Sequence, residues 1–113
     1  GARVRIDTNG HGNLIWNRNI APELAEVADA VSVSLNAQDA STYESICGSR
    51  FGAGTYEHVK AFIRECVRAG LEVTASVVDV PEIDVEGARR VAESLGVPLK
   101  VRTAYRSNRT PVR

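Results

Sequence analysis

Four segments of the chain alternate apolar and polar side chains with period two: Arg3–Asp7, Val31–Asn36, Leu71–Val77 and Leu99–Thr103. Each is rich in Val, Ile, Leu or Thr, which fit a pleated, half-buried surface, so each is predicted to be a strand. Between them the apolar positions recur at helical spacing. Pro22–Ala28 sets Leu24, Val27 and Ala28 on one face behind a proline suited to the first helical turn. Ser41–Cys47 opens on Ser41-Thr42-Tyr43-Glu44, the spacing of a capping box. Thr55–Ala69 carries Val59, Phe62, Ile63, Cys66 and Val67 on one stripe and runs into Gly70, a helix terminator. Val85–Leu95 follows Asp84 as N-cap, places Val85, Ala88, Val91, Ala92 and Leu95 inward, and stops at Gly96 before Pro98.

The predicted order is strand–helix–strand–helix–helix–strand–helix–strand, an α/β fold. Strands joined by helical crossovers lie parallel, with right-handed connections. No internal repeat appears, and Arg106–Arg113 has no hydrophobic period. The domain is therefore expected over residues 3–106, with 107–113 a disordered tail.

The alternation says more than the order. One face of the strands presents Val4 and Ile6; Val31, Val33 and Leu35; Leu71, Val73, Ala75 and Val77; Leu99 and Val101. The other presents Arg3, Arg5 and Asp7; Ser32, Ser34 and Asn36; Glu72, Thr74 and Ser76; Lys100 and Arg102. A doubly wound sheet is covered by helices on both faces, and its central strands read as continuous apolar runs. A wall with helices on one side and a polar opposite face is that of a (βα) barrel whose lumen encloses a ligand. Closure takes about eight strands. These four parallel strands with helical crossovers are thus expected to form a half (βα) barrel belonging to a larger one.

Composition narrows the partners. In 113 residues, fourteen basic and fourteen acidic side chains cancel, so no global field draws in nucleic acid or an anionic membrane. No apolar run approaches the ~20 residues of a membrane span. The two cysteines, Cys47 and Cys66, lie well apart and form neither a CxxC nor a disulfide framework, so a cytoplasmic protein is expected. The chain starts Gly-Ala-Arg, enters a strand at once and contains no Met, so Gly1-Ala2 reads as a cloning scar on a piece of a longer protein.

The strand endings carry a resemblance. "VRIDTNG" (Val4–Gly10), "AVSVSLNA" (Ala30–Ala37), "EVTASVVDVP" (Glu72–Pro81) and "LKVRTAY" (Leu99–Tyr105) resemble the third to sixth strands of the radical S-adenosylmethionine enzymes. The core of that superfamily is a partial (βα)6 TIM-like barrel, and this chain is similar to its C-terminal half. The run from Asp7 to Gly52 resembles most the branch linked with TatD-type hydrolases, and the likeness spans roughly residues 3–106.

The resemblance implies a [4Fe–4S] cluster held by CxxxCxxC after the first strand. It also implies S-adenosylmethionine at the open iron site, cleaved to a 5′-deoxyadenosyl radical. The chain departs from the family there: it has no CxxxCxxC, and Cys47 and Cys66 fall on helical stretches. The chain alone is therefore expected to bind no cluster and to be inactive, with its missing N-terminal half as partner. Carried over position by position, Thr8, Asn9 and Gly10 border the cofactor pocket. Ser34 and Asn36 match the ribose and methionine contacts, while Val78, Asp79 and the region of Tyr105 match the adenine cradle.

Each candidate has a plainer reading beside it. Thr8-Asn9-Gly10 also suits a βα turn using left-handed torsions, and Ser34 and Asn36 a solvated strand face. Arg5, Glu72 and Arg102 are substrate candidates in the lumen; Arg3, Arg5, Lys100 and Arg102 suit an anionic substrate and equally suit salt bridges across the wall, where Asp7 and Glu72 can neutralise some of them. "GSRFGAGT" (Gly48–Thr55) lacks the lysine and preceding strand of a phosphate loop, though Arg50 stands where a lid would close. Cys66 belongs to a core stripe, His11 lies past the strand end, and His58 falls on a solvated helix face. No spacing fits a metal site.

Three functions stay open: a fragment of a radical S-adenosylmethionine enzyme, a free-standing module binding small anions, and a half-barrel that self-associates. Two open sheet edges would favour homo-oligomers.

Overall fold

The computed structural model of the chain describes residues 3–10, 19–47 and 54–103. These form β1 (Arg5–Thr8), α1 (Ala21–Val27), β2 (Ala30–Ser34), α2 (Ala40–Cys47), α3 (Thr55–Arg68), β3 (Glu72–Asp79), α4 (Val85–Ser94) and β4 (Leu99–Thr103). The strands make one sheet in the order β1-β2-β3-β4, every pair parallel.

Sequential order is the signature of a singly wound wall. Each crossover adds its strand at the same edge, and right-handed connections then lay every helix on the same face. A doubly wound sheet would reverse its order at a switch point. The core agrees: Val31 and Val33 of β2, Leu35 just past it, and Val73, Ala75 and Val77 of β3 are buried in one cluster with Val59, Phe62, Ile63 and Cys66 of α3 and Ala88 and Ala92 of α4. The chain is α/β, with four parallel strands in the half (βα) barrel arrangement.

Hydrogen bonding sets the element ends. β1 begins at Arg5 because Val4 is held from outside the ladder: its amide donates to Asp29 Oδ2 at 2.8 Å, and its carbonyl accepts from the Asp29 and Ala30 amides. β2 stops at Ser34 because the Leu35 and Asn36 amides both donate to the Ser76 carbonyl, at 2.8 and 3.2 Å. Asn36 follows with φ +70°, a left-handed torsion that asparagine tolerates better than most residues. β3 runs on to Asp79 because Thr103 of β4 lies opposite it.

Three helical details differ from the sequence expectation. The capping box at Ser41 is displaced: α2 starts at Ala40, and the Thr42 amide donates to Asp39 Oδ1 at 2.7 Å. That bond and the Thr42 side chain hold the Asp39 carboxyl below the usual aspartate range. Asp84 does occupy the N-cap of α4, with no side-chain capping bond. On α1 and α3 the ends of the stripes turn outward, with Val27 64% and Val67 41% exposed. In α1 Ala21 is fully buried, Leu24 and Ala25 are half-buried against the core, and Ala28 at the C-cap is buried with them.

No helix among the described residues is long and apolar enough to cross a membrane. The tail from 107 onward, Tyr105, His11 and Arg50 lie outside the described residues, as does the side chain of Cys47.

Candidate functional site

The register converts the polar alternation into rows across the sheet. At the N-terminal end Arg5 pairs with Ala30 and Ala30 with Glu72; the next polar row is Asp7, Ser32 and Thr74. Toward the C-terminal end come Ser34, Ser76 and Lys100, and then Val78 with Arg102. Register partners in a parallel sheet point the same way, about 4.8 Å apart from strand to strand. These side chains therefore share the face away from the helices.

Charge is distributed unevenly along that face. At the N-terminal end Glu72 Oε1 lies 2.7 Å from Arg3 Nη2, and Glu72 Oε2 lies 3.9 Å from Arg5 Nη2. The hydrogen bond and charge of Arg3 hold the Glu72 carboxyl below its usual range, and Glu72 in turn raises Arg3. Arg5 and Glu72, two of the substrate candidates, are thus paired with one another at the end remote from the strand C-termini. Arg102, the third, is exposed at the opposite end. Neither it nor Lys100 has an ion pair among the described residues.

Hydroxyls stand beside those cations. Ser76 is 3% exposed, and its side chain has no hydrogen-bond partner among the described residues. Ser34, half-buried, is its register partner on one side, and Lys100 on the other. The sequence offered Lys100 among the basic residues that suit an anionic substrate, whereas Ser76 was not singled out. Their period-two parity was legible, whereas the register that aligns them with Ser34 was not.

Thr8-Asn9-Gly10 divides by role. Thr8 lies opposite Val33, on the helix side of the sheet, and its Oγ1 accepts a 3.1 Å bond from the Gly10 amide. Gly10 is buried with φ +82°, and a Cβ there would lie 3.0 Å from Val59 Cγ1 and 3.1 Å from Val33 Cγ1. Both are accounted for by the turn. Asn9 between them is exposed at the strand end. Asn36 and Val78 end their strands on the polar side, while Asp79 has the opposite parity.

The loop behind Asn36 is fastened from two sides. Tyr56 Oη donates a 2.8 Å bond to the Ala37 carbonyl, and the Gln38 side chain accepts from the Asp84 amide at 3.0 Å while donating to Thr42 Oγ1 at 3.1 Å. The strand-end residues therefore sit on a braced rim. Burial, with Asp39 and Glu57 nearby, pushes the Tyr56 hydroxyl up to about 12, so it stays a donor at any ordinary pH.

The donor set does not fit an iron–sulfur cluster. Three thiolates are needed, and the sequence holds two cysteines. Cys66 is enclosed in the core, and burial pushes its thiol up to about 11. His58 is exposed on α3, and no trio of metal-ligating side chains converges among the described residues. No protein-family model matches the chain, and neither does any curated protein.

Proposed function

We propose that the chain is the cofactor- and substrate-side wall of a partial (βα)6 barrel of the radical S-adenosylmethionine kind, lying in the cytoplasm. The observation that carries this reading is the singly wound parallel sheet whose polar face ends, at the strand C-termini, in Asn9, Ser34 and Asn36. Barrel ligands are held at that end. Hydroxyl and amide groups there suit the ribose and the amino-acid portion of S-adenosylmethionine, with Val78 offering an apolar surface toward adenine. The chemistry would come from the cofactor, and this chain's residues would bind and orient it. The cluster requires cysteines that this chain does not supply, so the wall is inactive until completed by two further βα units. Those units would pair with an open edge of the sheet, and in the isolated chain a second copy would take their place.

The reading frame that runs through Arg3 tests this. It is expected to encode CxxxCxxC in the loop after an upstream strand, two strand–helix units before Val4. A reading frame that starts at this strand, or upstream units without that motif, would overturn the proposal.

A second reading is a module that binds small anions. Lys100 and Arg102 favour it: they have no ion pair among the described residues, since Glu72 on the same face is taken up by Arg3 and Arg5, and such cations on a ligand-facing wall call for an external anion.

A further inference from the structure

The polar face is neutralised at one end and left cationic at the other; of its two buried serines without a side-chain hydrogen bond among the described residues, Ser32 and Ser76, it is Ser76 that lies in a row with a cation. Arg3 and Arg5 are both within reach of Glu72, at 2.7 and 3.9 Å. Lys100 and Arg102, on the last strand, have no carboxylate among the described residues. Ser76 is next to Lys100 in the register, and its hydroxyl is buried without a hydrogen bond among the described residues. A buried hydroxyl without a partner costs on the order of 1–3 kcal/mol, so such a group marks a place where a ligand atom completes the bonding.

We propose that Ser34, Ser76, Lys100 and Arg102 form an oxyanion-binding site, taking a carboxylate or phosphate group of the molecule held in the lumen. The inference deepens the reading above and rests on the polar face being the ligand face. An ammonium and a guanidinium supply charge from adjacent positions of one parity on β4. The serine hydroxyls on β2 and β3 donate to the remaining oxygens. Arg102, level with Val78, lies one row nearer the strand C-termini than Lys100, so the anion is held at the rim between the Ser76–Lys100 row and the Val78–Arg102 row. Glu72, two rows below Ser76 on its own strand, is kept occupied by Arg3 and does not compete for the cations.

Edge protection is the other use of charges on such a strand, because lysine and arginine on an edge discourage pairing with other chains. That role needs neither the buried hydroxyl nor its alignment with Lys100, and it requires no particular ligand.

Amide NMR of the chain, titrated at constant ionic strength, separates these. The probes are inorganic phosphate, succinate and S-adenosylhomocysteine, for the phosphate, substrate-carboxylate and cofactor-carboxylate sources. Saturable shifts centred on Ser76, Lys100 and Arg102 are expected with at least one probe, and the probe that binds names the source. Lys100→Gln and Arg102→Gln should each weaken that binding about tenfold or more, Ser76→Ala about threefold or more, and Arg3→Gln by less than twofold. Lys100 and Arg102 are exposed, and the spectra themselves report whether each variant folds. Absence of saturable shifts with all three probes overturns the site. So does equal weakening by Arg3→Gln, or a change in self-association alone on replacing Lys100 and Arg102. The outcome is independent of CxxxCxxC: anion binding without that motif upstream would remove the radical-enzyme reading and leave this site standing.

Discussion

Tyr56, on the first turn of α3, donates a 2.8 Å hydrogen bond to the carbonyl of Ala37, the residue after Asn36. A helix that packs behind the sheet thereby fixes the backbone at the sheet's front rim. Both residues are buried, so the bond has no water to replace it. Tyr56→Phe leaves the carbonyl without its donor and is expected to cost about 1–2 kcal/mol in urea unfolding. It should also broaden or shift the Asn36 and Gln38 amide signals in NMR spectra, whereas a purely local effect would be confined to α3.

Gly10 is expected to tolerate no side chain. Its left-handed torsion is unfavourable for an L-residue, and an added Cβ would lie 3.0 Å from Val59 Cγ1. Gly10→Ala should destabilise by roughly 2–4 kcal/mol, combining the torsional cost with overpacking. In a Val59→Ala background the same change should cost less, and a double-mutant cycle by chemical denaturation measures the difference.

Alkaline pH should lower the stability of the fold over two overlapping ranges. Burial raises Cys66 from its ordinary 9.0 to about 11 and Tyr56 from its ordinary 10.0 to about 12. Both groups stay protonated in the fold and ionise earlier in the unfolded chain. Their contributions are thus fully present below pH 9 and fall away as pH rises from about 9 to about 12. Cys66→Ala should remove the lower part of that decline, so that the loss begins near pH 10. Thermal melts at half-unit pH steps check this.

Acid should act through Asp39, and through Glu72, whose carboxyl Arg3 holds low. The Asp39 carboxyl is held below its ordinary 3.8 by the Thr42 amide. The stability it contributes is therefore present above that value and lost as pH falls through the lowered folded-state pKa. Asp39→Asn keeps an acceptor at the α2 N-terminus and should flatten the acid limb, while Asp39→Ala should lower the melting temperature at neutral pH as well. Circular dichroism melts between pH 2 and 7 distinguish the two variants.

Local pattern and long-range pairing were unequally legible in the sequence. The alternation of Ser32, Ser34 and Asn36 against Val31, Val33 and Leu35 foretold which side of β2 meets the helices, because apolar burial on one face fixes parity. The stripe of Val59, Phe62, Ile63 and Cys66 foretold the buried face of α3 for the same reason. Register is a property of two strands at once: shared parity allowed Glu72 to neutralise some of the arginines and lysine on its face, but no local signal chose Arg3 and Arg5 or placed Ser76 beside Lys100. Capping likewise depended on competition: the Ser41 box had the right spacing, yet Asp39 two residues earlier offered a carboxylate to the Thr42 amide. Thr8 looked like a pocket residue by position and lies instead on the helix side, where parity with Ile6 puts it.

In the proposed reading Ser34 and Asn36 end the wall of a radical S-adenosylmethionine barrel. The most direct measurement is 5′-deoxyadenosine formation by the full product of the reading frame through Arg3, purified anaerobically, with its cluster reconstituted and dithionite supplied. Wild type is expected to release 5′-deoxyadenosine from S-adenosylmethionine, and Ser34→Ala and Asn36→Ala to raise the KM for it about threefold to tenfold at equal cluster content. No 5′-deoxyadenosine from a protein with a full cluster, or wild-type KM in both variants, would contradict the account.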